Sequence, residues 1–269
     1  MIRLWIPVLL CLVYAIPKSH AGPLLEPSSL WPFGFALISL GIFVPLGWWL
    51  FRLDPDARVM SLSRLGFGSI GGVVAVYFIY GIGPGLAGTL FGAPVGVGIG
   101  VIQVARLVQD LNSLPLWVTI IAYSVSVGLV EEGSKAVAAR PECFHAVQVR
   151  AALGFMAGIG FGLAEALIYS YRNYAGTADW TAYVVRYLLC VGSHGVMSSV
   201  AVLLLPEDWW DFDRLWIAVL RLLPIAFLHG TYDALLQRNL TGWVIVTDVV
   251  TFAALPLILW WQQEQLGEA

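Results

Sequence analysis

The chain predicts an all-α fold, a polytopic transmembrane helix bundle, and three observations carry that prediction. Of its 269 residues, 59% are hydrophobic and only 12% charged, with a mean hydropathy of +0.82; soluble domains carry about 25% charged residues. The apolar residues gather into seven to eight segments, most of them near the ~20 residues that a helix needs to cross a hydrocarbon core. Several ionisable residues nevertheless lie inside those segments, where each is costly unless it faces a bundle interior. The net charge of -3 is small and dispersed, and no Lys/Arg tract forms a basic patch, which excludes nucleic-acid binding. Cys11, Cys143 and Cys190 make neither a CxxC nor an even framework.

Residues 1–21 read as a signal peptide or a first transmembrane helix. An apolar run from Leu4 to Ile16 is followed by Lys18 and the small residue Ala21, and Pro7 and Pro17 shorten any helix. Residues 22–269 form a single multi-pass domain. Leu30 to Phe51 is long enough to span and carries Trp48 and Trp49 near its end, suited to the headgroup level. The next loop holds Arg52, Arg58 and Arg64, which the positive-inside rule would put in the cytoplasm, but the loop with Arg140 and Arg150 then falls on the opposite side, so the orientation stays open. Phe67 to Ile82 is a further span, followed by Gly83-Pro84-Gly85 and a Gly-rich run to Gly100, where a helix packs closely, breaks or re-enters.

Leu116 to Val130 spans and runs on through Glu131 and Glu132 until Pro141 stops it. In Ala151 to Tyr171, Gly154 and Gly158 each fall within roughly 20° of Glu165 on a helical wheel. That stripe predicts a packing face for a neighbouring helix, with Glu165 turned into the bundle. Tyr183 to Leu205 carries His194 among Gly and Ser, Leu215 to Leu236 carries His229 and Asp233 at i and i+4, and Trp243 to Trp261 closes the bundle.

Glu131, Glu132, Glu165, His194, His229 and Asp233 together suit hydrolysis inside a membrane. Peptide hydrolysis needs an activated water, a group that polarises the carbonyl and an acid for the leaving amine. Two imidazoles with one or two carboxylates could hold Zn²⁺ and leave a position for water, with a further glutamate as base. Glu131 and Lys135, at i and i+4, could equally be a plain ion pair, so Glu132, on another face, is the stronger candidate for work. A carboxylate one turn from His229 can fix its tautomer or share a metal with it. No HExxH and no GxSxG is present, which sets aside zincin-like and elbow-serine chemistry.

In order and spacing, Glu131-Glu132-x-x-Lys135, Gly158-x-x-Phe161-x-x-x-Glu165, the intramembrane His194 and His229-Gly-x-Tyr232-Asp233 resemble the motifs of the PrsW family of intramembrane proteases. The likeness covers a core of about residues 116–236; Ala166 stands where the family pattern has Asn after the glutamate. It implies a multi-pass peptidase of a prokaryotic cell membrane, distantly related to the CAAX prenyl proteases and bacteriocin-processing proteins. The substrate would be a single-pass membrane protein, an anti-sigma factor in the case of the family's namesake. By the same resemblance Glu131 and Glu132 are catalytic, one of them the water-activating base. Glu165, His194, His229 and Asp233 bind Zn²⁺ or another divalent metal, or polarise the carbonyl.

A proton- or ion-coupled transporter is the alternative reading of the same buried groups. It would favour broken helices in matching halves, and the Gly-rich run has no counterpart in the second half. A catalytically dead scaffold fits poorly with retention of all six ionisable residues, given what each costs in lipid.

Overall fold

The computed structural model describes residues 27–81, 114–139, 146–173, 180–206 and 212–266, and among these residues all regular structure is helical. In chain order the helices are α1 (Pro27–Leu50), α2 (Pro55–Gly81), α3 (Leu116–Tyr123), α4 (Leu129–Ala139), α5 (Val147–Asn173), α6 (Trp180–Val184), α7 (Val191–Leu204), α8 (Leu215–Gln237) and α9 (Thr241–Leu266). Two π-helical turns, Ser124–Gly128 and Val185–Cys190, join α3 to α4 and α6 to α7.

Six stretches are long and apolar enough to cross a membrane: Trp31–Leu50, Leu116–Ala139, Val147–Tyr171, Ala182–Leu204, Leu215–Gln237 and Gly242–Glu264. Six candidate spans are thus described; the expected span at residues 67–82 falls, as far as Gly81, in α2, which is not among them, and residues 1–21 and the Gly-rich run at 83–100 lie outside the described residues. The expected arginine loop is corrected. Arg58 and Arg64 are helical, because α2 starts at Pro55 rather than near Phe67. The Asp54 carboxylate accepts the Ala57 N–H at 2.8 Å, and proline suits a first helical position, so Asp54-Pro55 is a strong helix start.

The helices group into two compact units. The first comprises Met1–Val73 and Lys135–Ser199. Its centre is α5, whose most apolar stretch is entirely buried. Small residues let the neighbouring backbones close on it. A Cβ on Gly154 would lie 2.6 Å from the Ser198 carbonyl oxygen, and one on Gly162 2.9 Å from the His194 ring. Gly158 likewise has the His194 backbone against it. The stripe read from the sequence is therefore the face on which α7 packs. On another side Gly160 meets the Leu65 carbonyl of α2, and a Cβ on Gly72 would come within 2.8 Å of the Phe161 carbonyl oxygen. The Ser199 hydroxyl donates to the Ala151 carbonyl at 2.8 Å, tying α7 to the start of α5.

The second unit comprises Val74–Ser134 and Val200–Ala269. Here α8 packs on α3, on the π turn that follows it and on α9. Glycine again sets the approach: Gly128 faces the Ala226 backbone, and a Cβ on Gly230 would lie 2.5 Å from both Cα and Oγ of Ser124. The Arg238 guanidinium closes the foot of the unit by donating to the Leu114 carbonyl and, at 3.1 Å, to the Thr119 hydroxyl. Helix α9 leaves Trp243, Ile245, Val249 and Phe252 exposed, as a lipid-facing helix does.

Candidate active site

The second unit builds one polar cluster around His229. Immediately before it, the π turn Ser124–Gly128 inserts an extra residue into the helical repeat, which re-aims the residues that follow. The Ser124 hydroxyl donates back to the Ile120 carbonyl at 2.7 Å, and that of Ser126 to Ala122. Glu131 and Glu132 then fall in the first turn of α4, and both are buried. Because Gly230 admits α8 against Ser124, His229 comes within reach of α4. Its Nδ1 lies 2.7 Å from Glu132 Oε1. Its Nε2 faces two further carboxylates, Glu131 Oε2 at 3.5 Å and Asp233 Oδ2 at 3.7 Å. Asp233 is the open edge of the group, with 24% of its side chain exposed against 0% for Glu132.

The first unit builds a second cluster around His194. Lys135, fully buried, brings its ammonium to 2.8 Å from His194 Nδ1 and to 4.5 Å from the centre of the Phe161 ring. His194 Nε2 lies 2.8 Å from Glu165 Oε2, and the other carboxylate oxygen, Oε1, pairs with Arg186 at 2.9 Å. The Arg186 guanidinium stacks 4.3 Å over the Tyr169 ring. Arg186 stands in the π turn Val185–Cys190, which places it one helical stretch before His194.

All six residues singled out in the sequence are thus buried or half-buried and engaged: Glu131, Glu132, His229 and Asp233 in one cluster, Glu165 and His194 in the other. Sequence reasoning missed Arg186, although an arginine inside the apolar segment that begins at Tyr183 meets the same criterion that selected the others. It also read Lys135 only as a partner for Glu131, whereas the ammonium sits on an imidazole 59 positions away in the chain.

No curated protein and no solved structure matches the chain. The profile of the PrsW family intramembrane metalloproteases matches residues 71–261, a range that takes in both clusters. That match covers well over half of the chain, takes in four candidate spans and most of a fifth, Gly242–Glu264, and brackets all six polar residues, so the chain belongs to the PrsW family of intramembrane metalloproteases and is a hydrolase.

Proposed function

We propose that this multi-pass protein is an endopeptidase that hydrolyses a peptide bond of a single-pass membrane protein, with the His229 cluster as its hydrolytic centre. The observation that carries this reading is the convergence of Glu131 and Asp233 on His229 Nε2 while Glu132 occupies Nδ1. Donors of a tetrahedral zinc site, each bonded at ~2.0–2.1 Å, stand about 3.3 Å apart. The 3.5 and 3.7 Å separations at Nε2 are close to that spacing. Glu132, accepting the Nδ1 proton, leaves the Nε2 lone pair for a ligand, as carboxylates behind metal-binding histidines do.

Glu131 and His229 have ligand atoms close enough to share one ion and so fit the family's metal, Zn²⁺ or another divalent ion; Asp233, 3.7 Å from His229 Nε2, is the further ligand of this reading. When bound the metal supplies Lewis acidity at the carbonyl and lowers the pKa of water. Glu131 has a second oxygen to accept the proton of the attacking water as the water oxygen adds to the carbonyl carbon. The same proton passes to the amine nitrogen as the C–N bond breaks, so one water yields a carboxylic acid and an amine. By the family resemblance Glu165 and His194 keep the other role proposed for them, polarising the carbonyl, and the Lys135 ammonium beside His194 is a donor suited to it. The same reading keeps residues 22–269 as one protease domain of seven or eight segments after a signal peptide or first helix at 1–21. It also keeps a prokaryotic cell membrane as the site of action and an anti-sigma factor in regulated proteolysis as the substrate.

The test is cleavage of candidate single-pass proteins in cells by wild type, Glu131→Gln, His229→Ala and the lipid-facing control Val249→Ala at matched expression. Cleavage lost in the two site variants and kept in the control supports the reading. No cleavage by wild type, together with ion or proton flux that depends on Glu165 and His194, would replace it with the transporter.

A further inference from the structure

We infer that Arg186, which belongs to none of the motifs that mark the site, is a positioning residue for the reaction: through Glu165 and His194 it fixes where the Lys135 ammonium points. The inference rests on the proposed function and deepens it. An ammonium can only donate hydrogen bonds, so His194 Nδ1, 2.8 Å from Lys135 Nζ, is an acceptor. The single proton of the neutral ring then sits on Nε2 and is donated to Glu165 Oε2 at 2.8 Å. Glu165 spends its other oxygen on Arg186 at 2.9 Å. Each member is oriented by the next, and Arg186 is the far anchor.

Helix α5 is the rail on which this array is laid. Phe161, Glu165 and Tyr169 follow one another at four-residue intervals and so share a face. Phe161 lies under the Lys135 ammonium at 4.5 Å, Glu165 between His194 and Arg186, and Tyr169 under the Arg186 guanidinium at 4.3 Å. Both cations thus rest on ring faces of one helix, with the carboxylate and the imidazole between them. The guanidinium is suited to the anchor position because it can stack on a ring and bond a carboxylate together, which an ammonium does less well. Without Arg186, Glu165 loses the partner that fixes its rotamer. The acceptor for the His194 Nε2 proton is then no longer fixed, and Lys135 loses its oriented acceptor in turn.

The experiment uses the full chain purified in lipid nanodiscs, with a transmembrane substrate cut by wild type, for Arg186→Met, Arg186→Lys and His194→Gln. Nitrogen NMR of histidine-labelled protein reports the tautomer of His194, identified as the signal missing in His194→Gln. For Arg186→Met we expect kcat to fall by about 10–100-fold, as for other outer-shell partners. KM should stay within about threefold and bound metal should be unchanged. The Nε2–H signature of His194 should be lost, and Arg186→Lys should recover part of both readouts. Wild-type kcat with an unmoved His194 signal in Arg186→Met overturns the inference. Loss of bound metal also overturns it, because Arg186 would then be supporting a ligand. Should Arg186→Met fail to accumulate, Arg186→Lys is read by the same two criteria. If wild type cuts no substrate, the proposed function falls by itself, while the tautomer of His194 with and without Arg186 still decides whether the array exists.

Discussion

His229 and His194 are both buried histidines with a carboxylate oxygen at hydrogen-bond distance, 2.7 and 2.8 Å, and they differ in what meets the other ring nitrogen. Around His229 it is two more carboxylates; at His194 it is an ammonium. Three carboxylates about one imidazole concentrate negative charge and oxygen donors, which is the environment that a divalent cation takes. A carboxylate between an imidazole and a guanidinium, with a lysine beyond, is an ion-pair array that holds its members in place. On the proposed reading the same residue types make a ligand set in one region and a positioning array in the other, and the difference lies in the second neighbour of the ring.

The sharpest way to break this contrast is to neutralise one carboxylate in each cluster. On the proposed reading Glu131→Gln removes the charge of a metal ligand and the proton acceptor, so it should lower kcat/KM by about 10³-fold or more. Asp233→Asn should lower bound metal, measured on purified protein by elemental analysis. Glu165→Gln should cost only about 10–100-fold and leave bound metal at the wild-type level. Equal loss of metal in Glu165→Gln and Asp233→Asn would erase the distinction between the clusters.

A smaller effect is expected from Glu132, the carboxylate proposed to orient rather than react. Glu132→Gln keeps an oxygen able to accept the His229 Nδ1 proton and loses only the charge behind it. Its kcat should therefore fall by about 10–100-fold, well short of Glu131→Gln. Steady-state cleavage of one transmembrane substrate by the two variants side by side decides the order. If Glu132→Gln is the more damaged, Glu132 is the base, as the helical face alone indicates.

Much of this is legible in the sequence alone. In an apolar chain each intramembrane carboxylate and histidine stands out because lipid makes it costly, and the Gly154/Gly158 stripe identifies the face that receives α7. Pairing is not legible. The spacing of Glu131 and Lys135 invites an intrahelical ion pair, yet which imidazole the ammonium meets depends on the approach of α5 and α7, set by glycine contacts far along the chain. The π turns are likewise silent in composition. A one-residue insertion in the hydrogen-bond register changes no residue type, while it decides where Arg186 and the two glutamates point. The early start of α2 is written in Asp54-Pro55, a signal that the three nearby arginines, which read as loop, outweigh.

Glycine gives the mildest and cleanest test of the contrast, because identical substitutions have opposite expected signs. Gly230 lets α8 sit against the π turn, and a methyl there would lie 2.5 Å from Cα and Oγ of Ser124. Backbone cannot yield as a flexible side chain can, so Gly230→Ala should destabilise by about 1–3 kcal/mol and move His229 away from Glu132. Gly133, between Glu132 and Lys135 in α4, has open space where a methyl would stand, with nothing within 4 Å. In a helix interior alanine is favoured over glycine by up to about 1 kcal/mol, chiefly through the unfolded chain. Gly133→Ala should therefore leave stability unchanged or raise it slightly, and leave the His229 cluster intact. Thermal unfolding of both variants in the same detergent, with bound metal as a second readout, tests the pair. A Gly133→Ala protein as unstable as Gly230→Ala would mean that α4 is packed as tightly as α8, and that the close approach of helices is not particular to the face that carries His229.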